Sequence, residues 1–206
     1  MADAGRVIAG RAKGVRLAAP GPGTRPLADR VKQTLFAVLE PELDGAVVLD
    51  LFAGSGAGGI EALSRGAARA VFVEKDGGAA RVVAENLRRV KLTAQGEVVK
   101  RDAMAWLGEG GGAAAAGPFD IVLIDPPYAD VDALVHALEL VGAHLSPTGL
   151  VIAKHFWRDA PPAQPGLLAS VRERRFGETA LTFYRRRDWT PTGDDAEGDG
   201  EEADEA

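Results

Sequence analysis

The chain has 206 residues, of which 46% are hydrophobic, and it contains no cysteine. This length allows one domain with a sizeable core, and the lack of thiols excludes disulfides, thiol catalysis and cysteine metal sites. The three histidines, His136, His144 and His155, lack metal-ligand spacing, so no metal site is predicted. No stretch is long and apolar enough to span a membrane, and the amino end lacks a signal-peptide pattern. We therefore expect a cytoplasmic protein without a membrane partner.

The net charge of −6 hides an uneven distribution of charge along the chain. Residues 191–206 hold eight acidic residues and no basic one, and the rest of the chain carries 24 basic against 22 acidic residues. Basic residues outnumber acidic ones by seven to three in residues 1–40 and by six to two in residues 172–187. These two clusters favour a nucleic-acid partner, although each of them alone is also typical of a solvated face.

The first 40 residues are predicted to form a hairpin and a helix. Short apolar runs at residues 6–9 and 15–17 flank a glycine-containing segment, as expected of two strands joined by a turn. A loop rich in proline and glycine follows, and Arg25 and Pro26 lead into a helix with one apolar face. The side chains on this face are Val31, Leu35, Val38 and Leu39.

Residues 41–187 alternate between predicted strands and predicted helices. The strands lie at residues 47–51, 70–74, 97–100, 119–124 and 150–156, and the helices at about 57–65, 78–91, 103–107 and 131–143. This alternation predicts an α/β domain with a mostly parallel sheet that is covered on both faces. Residues 169–176 and 179–185 are predicted to close the sheet as an antiparallel hairpin. We expect a flexible loop at residues 108–117 and a disordered acidic tail at residues 188–206.

A glycine-rich turn follows the first of these core strands and opens a helix. Gly54, Gly56 and Gly59 allow a sharp bend and a close approach to a ligand, and the helix start offers unpaired N–H groups. The same glycines match the G-x-G-x-x-G fingerprint of nicotinamide dehydrogenases, and Glu74 lies 20 positions after Gly54. A dehydrogenase is therefore a rival interpretation.

Three predicted strands end in acidic residues, which favours S-adenosylmethionine over a dinucleotide. Asp50 would oppose a nearby pyrophosphate but suits a ligand amino group, Glu74 suits ribose hydroxyls, and Asp102 suits an adenine amino group. S-adenosylmethionine carries these groups and no phosphate, and nothing downstream is typical of hydride transfer. The predicted cofactor-binding residues are Asp50, Phe52, Gly54, Gly56, Glu74, Asp102 and Ala103.

The predicted catalytic residues are Asp125, Pro126, Pro127 and Tyr128, which directly follow the apolar strand at 119–124. An ionised Asp125 only accepts hydrogen bonds, so it can hold an N–H₂ group. The two prolines stiffen the loop and leave its carbonyl groups free to accept, and Tyr128 offers a face on which a base can stack. This pattern suits methyl transfer to an amino group on a flat ring, although an ordinary proline turn is the simpler alternative.

Several segments together resemble the RsmD family, bacterial methyltransferases of 16S ribosomal RNA that act on a guanine exocyclic amine. The resemblance runs from Arg6 to about Arg187. Its more specific segments are residues 24–36 (TRPLADRVKQTLF) and 61–68 (EALSRGAA), and it also includes residues 6–11 (RVIAGR), 50–56 (DLFAGSG) and 125–128 (DPPY). The chain departs from the family at Gly58, where a larger apolar residue is expected, and at Lys154, where glutamate is usual.

The resemblance implies a Rossmann-like class I methyltransferase that uses S-adenosylmethionine to methylate the N2 amine of a guanine. Its substrate would be 16S ribosomal RNA or the assembling small ribosomal subunit, and we expect a monomer. Residues 1–40 would contact RNA phosphates. The residues expected to do so are Arg6, Arg11, Lys13, Arg16, Arg25 and Arg30. Two alternatives are an adenine-N6 methyltransferase of DNA or RNA, since the same tetrapeptide serves either amine, and a non-catalytic RNA-binding assembly factor of the ribosome.

Overall fold

A computed structural model describes residues 3–21, 29–108, 112–127 and 130–190. The predictions made for Arg25, for Tyr128 and for residues 191–206 therefore lie outside the described residues. None of the described helices combines the length and the apolar content that crossing a membrane requires.

The described strands form a two-stranded sheet and a larger mixed sheet. In chain order they are β1 (Asp3–Arg6), β2 (Arg16–Ala18), β3 (Val47–Leu51), β4 (Arg69–Glu74), β5 (Gly96–Lys100), β6 (Phe119–Ile124), β7 (Leu145–Phe156), β8 (Leu168–Phe176) and β9 (Thr179–Arg186). Strands β1 and β2 pair with each other, and the larger sheet has the order β5-β4-β3-β6-β7-β9-β8. Strands β3 to β7 are parallel, while β9 runs antiparallel to both β7 and β8. The predicted parallel sheet with a closing hairpin is thus confirmed.

Helices cover both faces of the larger sheet. They are α1 (Asp29–Leu43), α2 (Ala57–Arg65), α3 (Gly77–Arg89), α4 (Ala103–Leu107), α5 (Ala113–Ala116) and α6 (Val131–Val141). One apolar cluster joins α1, α2, α3 and the amino-terminal hairpin to side chains such as Phe72 and Ile121. A second cluster joins α4, α5 and α6 to the strand residues that point the other way, such as Val71 and Val122. Because neighbouring strand residues face opposite sides, both faces of these strands are buried and their sequences read as continuous apolar runs.

Three segments differ from the sequence-based predictions. Strand β1 covers Asp3–Arg6 instead of residues 6–9, because the backbone N–H groups of Ile8 and Ala9 donate to the Glu61 carboxylate and not to a neighbouring strand. The predicted loop at residues 108–117 contains the short helix α5, whose sequence is four alanines, the strongest helix formers. Strand β7 begins at Leu145 instead of residue 150, since Leu145 already pairs with Phe119.

Buried polar side chains of α2 fix the amino-terminal hairpin to the rest of the domain. Glu61 accepts the N–H groups of Ile8 and Ala9 at 2.8 Å and 3.0 Å. The Ser64 hydroxyl accepts from the Ala12 N–H at 2.9 Å and donates to the Ala9 carbonyl at 2.6 Å. Glu61 and Ser64 are both buried. Two of the polar residues of the EALSRGAA segment therefore position the hairpin, which shares its apolar core with α2.

Candidate active site

A cavity of about 660 Å³ lies at the carboxyl ends of the parallel strands. Open α/β sheets bind ligands at this edge, and the volume lies within the range of small-molecule sites. The glycine turn after β3, the end of β4 and the loop after β6 all contribute to its wall. The amino-terminal extension contributes Ala4, Ala19, Lys32 and Leu35. The structure therefore brings the predicted cofactor segment, the predicted catalytic segment and the extension to one cavity.

Asp50 is a buried acid at the floor of this cavity. Its Oδ2 accepts the backbone N–H of Gly59 at 2.8 Å, close to the start of α2. Burial raises the pKa of Asp50 to about 7, and the carboxylates of Asp125 and Glu74 add to this effect, while the hydrogen bond from Gly59 opposes it. A cationic amino group bound here would favour the ionised form of Asp50. The site therefore suits the ligand amino group that the sequence predicts for it.

The backbone N–H groups of the glycine fingerprint are already paired inside the protein. Gly54 donates to Glu74 Oε2 at 2.9 Å, Gly56 donates to the carbonyl of Ala53 at 2.7 Å, and Gly59 donates to Asp50. A pyrophosphate held at a helix start needs such donors to be free. The arrangement therefore disfavours the dinucleotide of the dehydrogenase interpretation.

Of the predicted cofactor residues, Gly54 and Phe52 line the cavity but Gly56 does not. Gly56 has a φ of 76° and faces the core, where an added Cβ would lie 3.0 Å from Val83 Cγ1. Glycine at position 56 is thus explained by backbone conformation and packing.

Glu74 is held at the cavity wall by two backbone donors. Its Oε2 accepts from Gly54, and its Oε1 accepts the N–H of Asp76 at 2.8 Å. Both oxygens keep further lone pairs, so the carboxylate is oriented and still able to accept from ribose hydroxyls. Glu74 lines the cavity at the position that the sequence predicts for it.

Asp102 caps a helix in this structure. Its Oδ1 accepts the N–H groups of Met104 and Ala105 at 3.0 Å and 3.1 Å, at the start of α4. Asp102 is exposed and is not part of the cavity wall, whereas its neighbours Arg101 and Ala103 are. The reading of an adenine amino group by Asp102 stays a prediction.

The loop after β6 brings an ion pair to the cavity. Asp125 Oδ1 accepts a hydrogen bond from Lys154 Nζ at 2.6 Å, and both side chains line the cavity together with Pro126 and Pro127. The pair results from strand register, because Ile124, the last residue of β6, lies opposite Ala153 of β7, and the residues that follow these two in the chain are Asp125 and Lys154. Sequence reasoning singled out Lys154 but did not predict this pair. The signal available in the sequence was opposite charge at the ends of two predicted parallel strands.

The other departure from the family, Gly58, follows from close packing. A Cβ at position 58 would lie 2.7 Å from Leu123 Cδ1 and 3.4 Å from Asp50 Oδ2. A larger apolar side chain at position 58 would therefore require Leu123 to move. Glycine lets the start of α2 lie directly over the buried acid.

The five predicted RNA-binding residues that the structure describes are exposed, and they lie on different parts of the amino-terminal extension. Arg6 of β1 donates to Asp29 at 3.2 Å, and Arg16 of β2 donates to Asp3. Arg11 and Lys13 lie at the hairpin tip, where the backbone contacts Ser64 near the carboxyl end of α2. The nine residues of α2 span about 13 Å between that end and the cavity edge. Arg30 is exposed on α1.

Among the described residues, no group of three or more His, Cys, Asp or Glu side chains is arranged to hold a metal ion.

Comparison with known proteins shows similarity over most of the chain. A family profile described as "Conserved hypothetical protein 95" matches residues 5–185. Ribosomal RNA small subunit methyltransferase D of Escherichia coli K12 is 36% identical over 184 residues, which cover 88% of this chain and 89% of the relative. YlbH of Bacillus subtilis 168, a proposed rRNA methyltransferase, is 37% identical over 185 residues, which cover 88% of this chain and 99% of YlbH. The solved structure of yhhF from Escherichia coli is 34% identical, has a TM-score of 0.77, and is matched over 88% of this chain and 97% of its own.

Proposed function

Since the chain belongs to the RsmD family of ribosomal RNA methyltransferases, we propose that it transfers a methyl group from S-adenosylmethionine to the N2 amine of a guanine in 16S ribosomal RNA. The observation that carries this proposal is the cavity itself. It joins a cofactor wall of Asp50, Gly54 and Glu74 to an amine acceptor, Asp125, at the end of β6. The substrate would be the RNA or the assembling small subunit, and the protein would act as a monomer.

The residues of the cavity fit S-adenosylmethionine. Five acidic residues, among them Asp50, Glu74 and Asp125, line it together with four basic ones, and the buried carboxylate of Asp50 favours a ligand group that carries positive charge. The N–H groups of Gly54, Gly56 and Gly59 are paired within the protein and are therefore not offered to a phosphate, and this cofactor has none. Asp50 would receive the amino group and Glu74 the ribose. When bound, the cofactor supplies an electrophilic methyl group whose bond to sulfur breaks with the electron pair left on sulfur.

Asp125 would orient the amine through its second carboxylate oxygen. Lys154 already donates to Oδ1, so Oδ2 is the oxygen left to accept one N–H of the guanine amine. The carbonyl of Pro126 would accept the other N–H. Held in this way, the nitrogen lone pair points toward the methyl group, the new N–C bond forms, and the nitrogen then releases one proton to solvent. Alignment is the main catalytic contribution, and the Asp125 carboxylate also lies beside the positive charge that develops on nitrogen.

The target base must leave its stack to enter the cavity. Tyr128 would then stack on it, and the basic side chains of the amino-terminal extension would contact phosphates on the RNA backbone. Of these, Arg6 and Arg16 lie on the strands that carry Ala4 and lead to the cavity, while Arg11 and Lys13 lie at the far end of the hairpin.

Mass spectrometry of the modified nucleoside tests the proposed function. The purified protein is incubated with labelled S-adenosylmethionine and either unmodified 16S ribosomal RNA or small subunits that lack the modification. The expected product is N2-methylguanosine. Labelled N6-methyladenosine would instead identify an adenine methyltransferase, and the absence of label from every substrate would favour a non-catalytic assembly factor.

A further inference from the structure

The basic cluster at residues 172–187 is not explained by the proposed chemistry, and the five of its arginines that lie on β8 and β9 fall into two groups. Arg185 forms a bidentate ion pair with Glu42, and Arg186 pairs with Asp188. Arg175 lies over the ring of Trp157, 3.7 Å from its centroid. In contrast, neither Arg172 nor Arg174 forms a side-chain hydrogen bond or an ion pair within the described ranges.

Arg174 also has a buried donor without an acceptor. Its Nε is inaccessible to solvent and has no hydrogen-bond partner. Leaving such a group unpaired costs free energy, and guanidinium groups in proteins are normally satisfied by an anion or a carbonyl. The nearest acid along the strand, Glu173, points to the opposite face, where it accepts from Thr182 at 3.3 Å. The positive charge of Arg172 and Arg174 is therefore not compensated on their own face.

The pairing of strands places these arginines in line with the cavity. Lys154 of β7 lies opposite Leu181 of β9, and Leu181 lies opposite Arg174 of β8. Residues paired in this way share one face of the sheet, and adjacent strands are about 4.8 Å apart. The backbone of Arg174 thus lies about 10 Å from that of Lys154, with cavity residue Leu181 between them. Arg172 follows two residues along β8, opposite Phe183.

We infer that Arg172 and Arg174 bind phosphates of the RNA strand that carries the target nucleotide. This inference rests on the proposed function, because it assumes that an unstacked RNA base enters the cavity. Guanidinium groups match phosphate with two parallel N–H donors, so these two arginines fit an RNA strand that leaves the cavity beside Lys154 and runs toward β8. The amino-terminal hairpin packs on α2 and α3, over the other half of the sheet. The RNA is therefore held from both sides of the cavity.

The test compares two double variants, each of which replaces two positively charged side chains with uncharged glutamine. Arg172→Gln with Arg174→Gln removes the proposed contacts, and Arg88→Gln with Lys91→Gln removes two exposed charges at and just after the end of α3, near the opposite edge of the sheet. Binding of an unmodified 16S ribosomal RNA transcript is measured at several salt concentrations. Each phosphate contact on a single strand contributes about 0.7 to the slope of log affinity against log salt. We expect the first variant to lose about 1.4 of the slope and roughly tenfold in affinity at low salt, and the second to lose neither.

Two further readouts separate this inference from the proposed function. The affinity for S-adenosylmethionine should stay at the wild-type value in the first variant, which also shows that it is folded. Arg172→Lys with Arg174→Lys should retain most of the salt slope, since the charge is kept. If the wild type binds RNA with the expected slope but transfers no methyl group, the proposed function fails and the phosphate contacts remain.

An unchanged salt slope in Arg172→Gln with Arg174→Gln would overturn the inference. Methyl transfer by the wild type would still support the proposed function in that case. Equal losses in both double variants would overturn it as well, because they would reflect net charge alone. Loss of methylation only on assembled particles, with a normal slope on free RNA, would assign the two arginines to a protein partner instead.

Discussion

Among single residues, the proposed chemistry depends most on Asp125, whose two carboxylate oxygens have different partners. Lys154 binds Oδ1 of Asp125 at 2.6 Å, so the remaining oxygen is presented to the cavity in a fixed direction. Asp50 and Glu74 add two more acids to the wall, and they are held by backbone donors of the glycine turn. Each acid thus has a separate proposed partner: the target amine for Asp125, the cofactor amino group for Asp50 and the ribose for Glu74.

Removal of the Asp125 carboxylate should abolish most of the activity. In Asp125→Ala we expect kcat to fall roughly 100- to 1000-fold, as when one oriented electrostatic partner of a transition state is lost. The cofactor affinity should change little, because Asp125 faces the amine. Single-turnover methylation under saturating RNA, together with calorimetric titration of the cofactor, measures both quantities. Activity close to that of the wild type would show that the carboxylate has no role in orienting the amine.

Lys154→Met should lower kcat on the order of tenfold, because Asp125 loses the partner that holds its orientation. Cofactor affinity should stay the same, and Lys154→Arg should restore part of the rate by supplying another donor. Lys91→Met serves as the control, since Lys91 is an exposed lysine that lies outside the cavity wall. Steady-state kinetics of Lys154→Met, Lys154→Arg and Lys91→Met measure these changes in kcat. Equal rates in Lys154→Met and the control would mean that the ion pair does not assist the reaction.

The raised pKa of Asp50 should make the stability of the protein depend on pH. An unfolded chain releases the Asp50 proton at about pH 4, whereas the folded protein keeps it up to about pH 7. The contribution of Asp50 to the free energy of unfolding is therefore fully present below pH 4. It falls as the pH rises from 4 to 7, by at most about 4 kcal/mol. Asp50→Asn should lack this contribution. Urea unfolding of both proteins without cofactor, at pH values across this range, should show the wild type losing stability relative to the variant.

At the scale of elements, α2 serves both the cavity and the amino-terminal hairpin. Its first turn lies over Asp50, and its last two turns carry Glu61 and Ser64, which hold the hairpin backbone. Lys32 of α1 is buried beside Glu61, 4.0 Å away, and donates to the Arg6 carbonyl at 2.5 Å, while burial lowers the pKa of Lys32. The extension is thus attached through buried polar contacts that α2 provides.

Glu61→Ala should destabilise the protein by about 3 to 5 kcal/mol, because it leaves buried N–H groups and buried cations without their acceptor. The hairpin should also become open to proteolysis, since its backbone loses two hydrogen bonds. Denaturant unfolding and limited trypsin digestion measure these effects. Glu85→Ala on the exposed face of α3 should leave the unfolding midpoint nearly unchanged. Similar midpoints in the two variants would contradict the anchoring role of Glu61.

At the scale of the whole molecule, the proposed RNA path is basic although the protein is acidic overall. The cavity lies between the hairpin on α2 and α3 and the arginines of β8, while eight acidic residues at 191–206 account for the negative total. Because charges act over about 10 Å at 0.1 M salt, the local distribution matters more to RNA than the net charge.

Deletion of residues 191–206 should tighten RNA binding several-fold at low salt, since the balance of the remaining chain is +2. The gain should shrink as salt rises, because screening shortens the range of the removed charges. Cofactor affinity should be unaffected. Filter-binding titrations of the full and shortened chains at low and high salt measure the difference. Identical affinities at low salt would place the tail beyond the electrostatic reach of the RNA.

Local patterns in the sequence determined the order of the elements and the main parts of the site. Residues 46–49, in and just before β3, and residues 121–124 of β6 face both sides of the sheet, so each run appears in the sequence as an apolar segment directly before Asp50 or Asp125. The glycine turn and the proline loop are likewise short segments whose conformations depend on their own residues. This is why the α/β class and the position of both segments directly after predicted strands could be derived from the sequence.

Tertiary structure decided the contacts between residues that are distant in the chain. Asp125 and Lys154 are 29 positions apart, and Glu61 lies more than 50 positions from the backbone that it holds. The face shared by Lys154 and Arg174 likewise follows from the register of three strands. The turn between β8 and β9 fixes their register locally, but β7 and β9 are not joined by a short turn, and a one-residue shift between them would place Lys154 and Arg174 on opposite faces of the sheet.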